Sequence, residues 1–165
     1  MNKADIRKLL QKVKNNEIEV EAATGIIEDL PYKELGFAKI DNHREIRVGY
    51  PEVIYCEGKT VEQVKRIMEF MLTKDNNILA TRANEKMYES VKAICAEAKY
   101  NPLGRTITIR KREESLTDNY IAIVSAGTSD MPVVEEAAET AMILGNRVEK
   151  IMDVGVAGIH RLFAN

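Results

Sequence analysis

Apolar positions fall at helical spacing from Asp5 to Val13, where Ile6, Leu9, Leu10 and Val13 share a face, and a second short helix is predicted from about Val20 to Leu30, stopped by Pro31. The rhythm then shortens. Phe37–Ile40 and Glu52–Cys56 read as strands, with Gly49 and Pro51 as punctuation between them. From Val61 to Leu72 a stripe of Val61, Val64, Ile67, Met68, Met71 and Leu72 predicts an amphipathic helix with Thr60 as its N-cap. Asn77–Thr81 reads as a strand and Asn84–Ala98 as a helix with Met87, Val91, Ile94 and Cys95 inward. Asn101-Pro-Leu-Gly104 breaks the pattern, and Thr106–Ile109 is a β-branched strand. Strands and helices alternate here, as in an α/β layer.

A charged stretch, Arg110 to Asp118, separates this part from the apolar strand Tyr120–Ser125, and the charge balance changes across it. Up to position 117 there are 21 basic and 19 acidic residues; beyond it there are 3 and 7. We therefore expect a boundary there, giving domains 1–117 and 118–165. The second part predicts a strand, a turn over Ala126–Asp130, a helix from about Pro132 to Leu144 stopped by Gly145, a strand over Arg147–Met152 and a Gly-rich turn opening a helix near Ile159. Two parallel strands cannot cover their own faces, because parallel sheets are buried on both sides and usually contain several strands. This part therefore reads as unfinished, either truncated or completed by a partner.

Composition narrows the function classes. The 165 residues carry 24 Lys+Arg and 26 Asp+Glu, a net charge of −2, with 45% hydrophobic residues. Such a chain is a globular protein of one or two domains, and it lacks the basic excess of a nucleic-acid binder. Its longest apolar run, Tyr120–Val124, is far below the ~20 residues of a bilayer-spanning helix. Met1-Asn-Lys-Ala-Asp5 opens no apolar h-region, so the expected location is cytoplasmic, with neither membrane nor nucleic acid as partner. Cys56 and Cys95 have neither metal-ligand spacing nor disulfide density and read as quiet core residues of a reducing compartment.

Four stretches carry candidate chemistry. Gly58-Lys59-Thr60 follows a strand and opens a helix, but a P-loop needs a glycine at position 53, where Val53 stands, so that motif is rejected. Lys59 at that helix start can face an anion, or the three residues can be a turn and a cap. Asp41, His43, Arg44 and Arg47 gather an acid, an imidazole and two guanidiniums within seven positions. Both a bidentate grip on phosphate or carboxylate and a solvated turn suit them, whereas a lone His43 is a poor zinc ligand. Ser125-Ala-Gly127-Thr128-Ser129-Asp130 ends a strand in small and hydroxyl residues and opens a helix. Unpaired N–H groups there would seat a phosphate, with Asp130 either a functional acid or the N-cap. Asp153-Val-Gly-Val-Ala-Gly-Ile-His160-Arg161 repeats the design after the next strand. If the strands are parallel neighbours, His160 can move a proton and Arg161 can hold an anion beside the first turn.

The two turns, Ala126-Gly-Thr-Ser-Asp130 and Val156-Ala-Gly-Ile-His-Arg161, resemble the PurE superfamily of aminoimidazole ribonucleotide carboxylases and mutases. Together with Gly36-Phe-Ala-Lys-Ile-Asp-Asn-His-Arg44, Arg47, Gly49-Tyr-Pro-Glu-Val53 and Glu57-Gly-Lys-Thr60, they make nearly the whole chain resemble the LarB family of nickel-pincer nucleotide cofactor biosynthesis. The chain differs from the purine-pathway enzymes at Ala126-Gly127, where those carry Gly-Ser, and in its N-terminal domain. The resemblance implies an N-terminal helical and α/β LarB-type domain, followed by an incomplete PurE-like, flavodoxin-like three-layer domain with a parallel sheet. It also implies a likeness to synthases that carboxylate the pyridinium ring of nicotinic acid adenine dinucleotide and hydrolyse its phosphoanhydride, giving pyridinium biscarboxylic acid mononucleotide and AMP.

The carried-over roles follow residue by residue. Asp130 and His160 are the candidate catalytic pair. Gly127, Thr128, Ser129 and Arg161 are the candidate substrate contacts, and His43, Arg44, Arg47 and Lys59 are candidate anion contacts. The family implies carbon dioxide or bicarbonate and magnesium, with no permanently bound cofactor and no assignable metal ligands, and homo-oligomers formed through the PurE-like domain. An electron-poor pyridinium attacks carbon dioxide only after a nucleophile adds to it, a task suited to a thiolate. The family supplies that cysteine from its C-terminal half, and neither Cys56 nor Cys95 matches it. The expectation is a truncated family member of weak or no activity. The alternatives are a purine-pathway carboxylase and a non-catalytic binding or assembly module.

Overall fold

The computed structural model describes residues 3–28, 32–113 and 116–164 and falls into two compact units, residues 1–52 and 53–165. In the first unit, α1 (Lys3–Lys14) and α2 (Val20–Glu28) form a helix pair with Leu9 and Ala23 buried. The predicted stop of α2 at Leu30-Pro31 lies outside the described residues. A short antiparallel hairpin follows, β1 (Tyr32–Glu34) with β2 (Lys39–Asp41), paired Tyr32 to Asp41 through Glu34 to Lys39. Only the second of these strands is legible in the apolar pattern, and it lies two residues beyond the predicted start at Phe37. The segment expected to be a turn at His43 is instead the entry to a five-residue helix, α3 (Arg44–Val48), closed by Gly49 at φ +83°, whose N–H bonds Glu45 O at 2.9 Å.

In the second unit the sheet runs β3-β4-β6-β5, built from β3 (Ile54–Tyr55), β4 (Ile78–Thr81), β5 (Lys99–Asn101) and β6 (Thr106–Ile109). β3 and β4 are parallel, while β6 is antiparallel to both of its neighbours. The layer is thus mixed, not a simple alternation. The predicted helix Asn84–Ala98 is shorter than expected: α5 covers Glu85–Lys92. The chain then turns back, with Lys92 Nζ donating to the carbonyls of Ala96 (2.5 Å) and Ala98 (3.1 Å), and residues 93–98 form turns that lead into β5.

The helix α4 (Val61–Leu72) matches its prediction because two local devices agree. Thr60 Oγ1 accepts from Gln63 N at 3.2 Å while Thr60 N donates to Gln63 Oε1 at 2.9 Å, a reciprocal cap. Val64, Ile67, Met68 and Met71 are buried along one face, and full burial of side chains such as Val64 and Met68 contributes roughly 1.5–3 kcal/mol each. Every residue of β4 and β6 is buried. Thr106 and Thr108 are therefore polar residues inside a core that alternation alone would leave half-exposed.

Beyond position 116, β7 (Tyr120–Val124) and β8 (Arg147–Ile151) form a parallel pair in register from Tyr120–Arg147 to Val124–Ile151, connected through α6 (Met131–Ile143). A short helix, α7 (His160–Phe163), closes the described chain. The α6 helix, with Val134, Ala138 and Ile143 buried, lies against β7 and β8 and also against β4 and β6. The change of sequence character at 117 therefore falls inside a unit by contacts, because α6 is shared by both sheets. The architecture is a mixed α/β fold with small sheets. No helix among the described residues is long and apolar enough to cross a membrane.

Candidate functional site

Because β7 and β8 end in register, both turns spring from one edge of the parallel pair. Hydrogen bonds then lace them together: Ser125 N to Ile151 O (3.0 Å), Val154 N to Ser125 O (3.1 Å) and Gly155 N to Ala126 O (3.0 Å). A Cβ at Gly155 would lie 2.9 Å from Ala126 O, so the approach of the two turns demands glycine. β7 and β8 are parallel neighbours, as expected, and these bonds join the starts of the two turns.

The first turn is a single 3₁₀ turn, Thr128–Asp130, running directly into α6. Asp130 Oδ2 accepts from Gly127 N at 3.0 Å and Asp130 N donates to Gly127 O at 3.0 Å, so the carboxylate closes the turn. Thr128 and Ser129 are exposed, while Gly127 and Asp130 are half-buried. The first turn of α6 carries Pro132 near its start and no acidic residue of its own, while the Asp130 carboxylate stands at its N-cap, at the positive end of the helix dipole.

In the second turn, Arg161 Nη1 donates to Asp153 Oδ1 at 2.7 Å and Nη2 reaches Gly155 O at 3.5 Å. The guanidinium folds back over its own loop. Gly158 makes this possible, since a Cβ there would meet Arg161 Nε at 2.9 Å. His160 is exposed at the start of α7 and, among the described residues, makes no hydrogen bond or ion pair.

The N-terminal candidates are engaged locally. Arg47 Nη2 lies 2.5 Å from Asp41 Oδ2, and His43 N donates to Asp41 Oδ1 at 2.8 Å. Burial pulls the Asp41 carboxyl upward, but the bond and charge of Arg47 and the N–H groups of His43 and Arg44 outweigh it and hold the carboxyl below its ordinary range. Asp41 is thus the hub that folds this loop into α3, with Arg44 at the first helical position. In the second unit Lys59 Nζ donates to Tyr55 O at 2.6 Å, tying the turn after β3 to its own strand.

Neither cysteine lies in the two turns. Cys56 is fully buried and burial pushes its thiol up to about 11, against the smaller opposing pull of Lys59. Cys95 is buried too, its Sγ 3.3 Å from Glu97 Oε2. Both behave as the sequence leads one to expect of core residues. Among the described residues, no group of three His, Cys, Asp or Glu side chains is disposed to hold a metal ion. With Asp130 bonded to Gly127 and Asp153 to Arg161, the site presents no preassembled magnesium cage.

One residue of the singled-out Ser125–Asp130 stretch has no role of its own in the sequence reading. Ser125 is buried, and its Oγ has no hydrogen-bond partner among the described residues, at the point where both turns begin. A buried hydroxyl without a partner is costly. Its only signal in the sequence is a hydroxyl residue ending an apolar strand.

Two comparisons bear on this arrangement. Residues 32–112, from β1 to the residues just after β6, match the LarB/PurE-like N-terminal domain. The match ends before β7, so the two turns lie beyond it. Over 172 aligned positions the chain is 34% identical to the uncharacterized protein MJ0165 of Methanocaldococcus jannaschii, covering 96% of this chain and 65% of that protein. The chain thus spans somewhat less than two thirds of that relative's length.

Proposed function

We propose that this chain serves nickel-pincer nucleotide cofactor biosynthesis by binding nicotinic acid adenine dinucleotide at the paired turns, where ring carboxylation and phosphoanhydride hydrolysis are carried out. The observation that carries this reading is the bonding of Ser125 and Ala126 to Ile151, Val154 and Gly155, which draws the starts of the two turns together at the carboxyl edge of a parallel strand pair, next to the N-terminus of α6. The resemblance of both turns to the PurE and LarB families supplies the substrate class, and the LarB/PurE-like N-terminal domain favours the second of these.

In this reading each group has a physical task. The N–H groups opening α6, with the hydroxyls of Thr128 and Ser129, receive phosphate oxygens. Arg161 supplies positive charge, held in place by Asp153. Asp130 fixes the turn through Gly127 N–H, and the exposed His160 is the group that can pass a proton. Neither described cysteine supplies the nucleophile that must first add to the pyridinium ring. Cys56, with its thiol near 11, and the buried Cys95 are unsuited to it, so carboxylation by this chain's own residues is expected to be weak or absent while binding persists.

Thermal unfolding with nicotinic acid adenine dinucleotide and, separately, aminoimidazole ribonucleotide tests the reading. At a ligand concentration one hundred times Kd, linkage adds about 2.7 kcal/mol, roughly 5–10 °C in Tm for a chain of this size. Selective stabilisation by the dinucleotide is the expected result. Preference for the ribonucleotide would move the chain to purine chemistry, and no shift with either at millimolar concentration would leave a non-catalytic module. Mass spectrometry after incubation with dinucleotide and bicarbonate is expected to show little or no carboxylated product.

A further inference from the structure

The helix that opens on the first turn is gripped one helical turn further along by a pair of adjacent glutamates. Glu135 uses both carboxylate oxygens: Oε1 lies 2.5 Å from Lys150 Nζ on β8, and Oε2 accepts from Asn101 Nδ2 at 3.0 Å on β5. It therefore bridges the four-stranded sheet and the parallel pair through α6. Asn101 is engaged on its other side as well, its Oδ1 accepting from Leu103 N (3.1 Å) and Gly104 N (3.0 Å) to hold the β5–β6 turn. That turn rests directly on the helix. A Cβ at Gly104 would stand 3.0 Å from the backbone carbon and Cβ of Glu135 and from Glu136 N. Glu136 completes the grip with Arg82 Nε at 2.8 Å, from the end of β4.

We propose that Glu135 is the positioning residue of the candidate site: by joining Asn101 to Lys150 across α6, it makes the β5–β6 turn the support that fixes where the Gly127–Asp130 turn stands. Glu135 is the fifth residue of α6, about 6 Å along the axis from its start at 1.5 Å per residue. A tilt pivoting there moves the Gly127–Asp130 turn relative to Ser125 and Ala126, which the Val154–Gly155 backbone holds just before it. Glu135 is only 16% exposed at its side chain and lies in a partly dry seam, so its two bonds are charge-assisted and poorly replaced by water. The inference rests on the proposed site only for its functional consequence; the mechanical claim stands by itself.

Amide hydrogen exchange tests the mechanical claim without any ligand. In Glu135→Ala, exchange at residues 127–134 is expected to rise about tenfold or more, the equivalent of one lost charge-assisted hydrogen bond, with Glu135→Gln intermediate because it keeps an acceptor for Asn101. Val64→Ala in α4, a cavity variant away from the two turns, provides the control for general destabilisation and is expected to leave 127–134 no more affected than the rest of its unit. Unchanged exchange at 127–134 in a folded Glu135→Ala, or an equal rise in Val64→Ala, overturns the proposal. If Glu135→Ala does not fold, Glu135→Gln and Asn101→Ala carry the same comparison. Affinity for nicotinic acid adenine dinucleotide is then expected to weaken about tenfold in Glu135→Ala and to hold in Val64→Ala at temperatures where both are folded. A wild-type chain that binds no dinucleotide counts against the proposed function alone, whereas a folded Glu135→Ala that binds as tightly as wild type counts against the positioning role.

Discussion

Gly155→Ala isolates the contact that brings the two turns together. The backbone of Gly155, at φ −57° and ψ 143°, is open to any residue, so alanine meets no conformational objection there. Replacing glycine by alanine at such a site stiffens the unfolded chain and by itself stabilises by about 0.4–1 kcal/mol. Against this stands the new methyl, 2.9 Å from Ala126 O, a backbone atom that can yield only by separating the turns. Separation breaks the Gly155 N–H to Ala126 O bond at 3.0 Å, worth roughly 0.5–1.5 kcal/mol, and overpacking typically costs 1–3 kcal/mol. The sum is a net loss of about 1–3 kcal/mol, with weaker dinucleotide binding. Gly127→Ala is the matched comparison, because its Cβ would meet only Ser129 Oγ at 3.9 Å. Urea unfolding and ligand titration of both variants provide the assay. If Gly155→Ala is as stable as wild type, or Gly127→Ala is equally damaged, the close approach of the turns is not what shapes this edge.

Other expectations follow from the ionisable groups. Cys56 has its folded pKa raised from 9.0 to about 11, so its contribution to stability is complete below pH 9 and is lost as pH rises towards 11. Denaturation midpoints measured from pH 8 to 11 should fall less steeply in Cys56→Ala than in wild type, and an equal slope would show that Cys56 does not titrate in the fold. For the same reason a disulfide reagent at pH 8 is expected to leave native Cys56 unmodified until the chain unfolds. Glu135 is held below 4.5 first by its bond to Lys150 and then by Asn101, against burial, so its contribution is present above that value and fades as pH falls further. Glu135→Gln should therefore flatten the acid limb of the stability curve below about pH 4.5, read by circular dichroism during acid titration. Loss of the exposed Arg47–Asp41 ion pair in Arg47→Ala should cost only about 0.2–1 kcal/mol, read in the same urea assay; a far larger loss would assign Arg47 a deeper role.

What the sequence determined by itself is local. Thr60 and Gln63 are three residues apart and cap α4 wherever the chain goes, and Val64, Ile67 and Met68 make the same helical stripe in any fold that buries it. The two turns are legible for the same reason, since small and hydroxyl residues between an apolar strand and a helix carry their own backbone preferences. The tertiary structure decided the rest. Lys99–Asn101 falls between a predicted helix and a predicted break, and becomes a strand because Thr106–Thr108 offers a partner for its backbone. Tyr32–Glu34 becomes a strand through Lys39–Asp41. The reach of Glu135 to Asn101 and Lys150, 34 and 15 residues away, depends on two sheets meeting across one helix. Residue spacing constrains what a few neighbouring peptide units can do, whereas bonds between distant segments exist only once burial of the shared helix has brought those segments together.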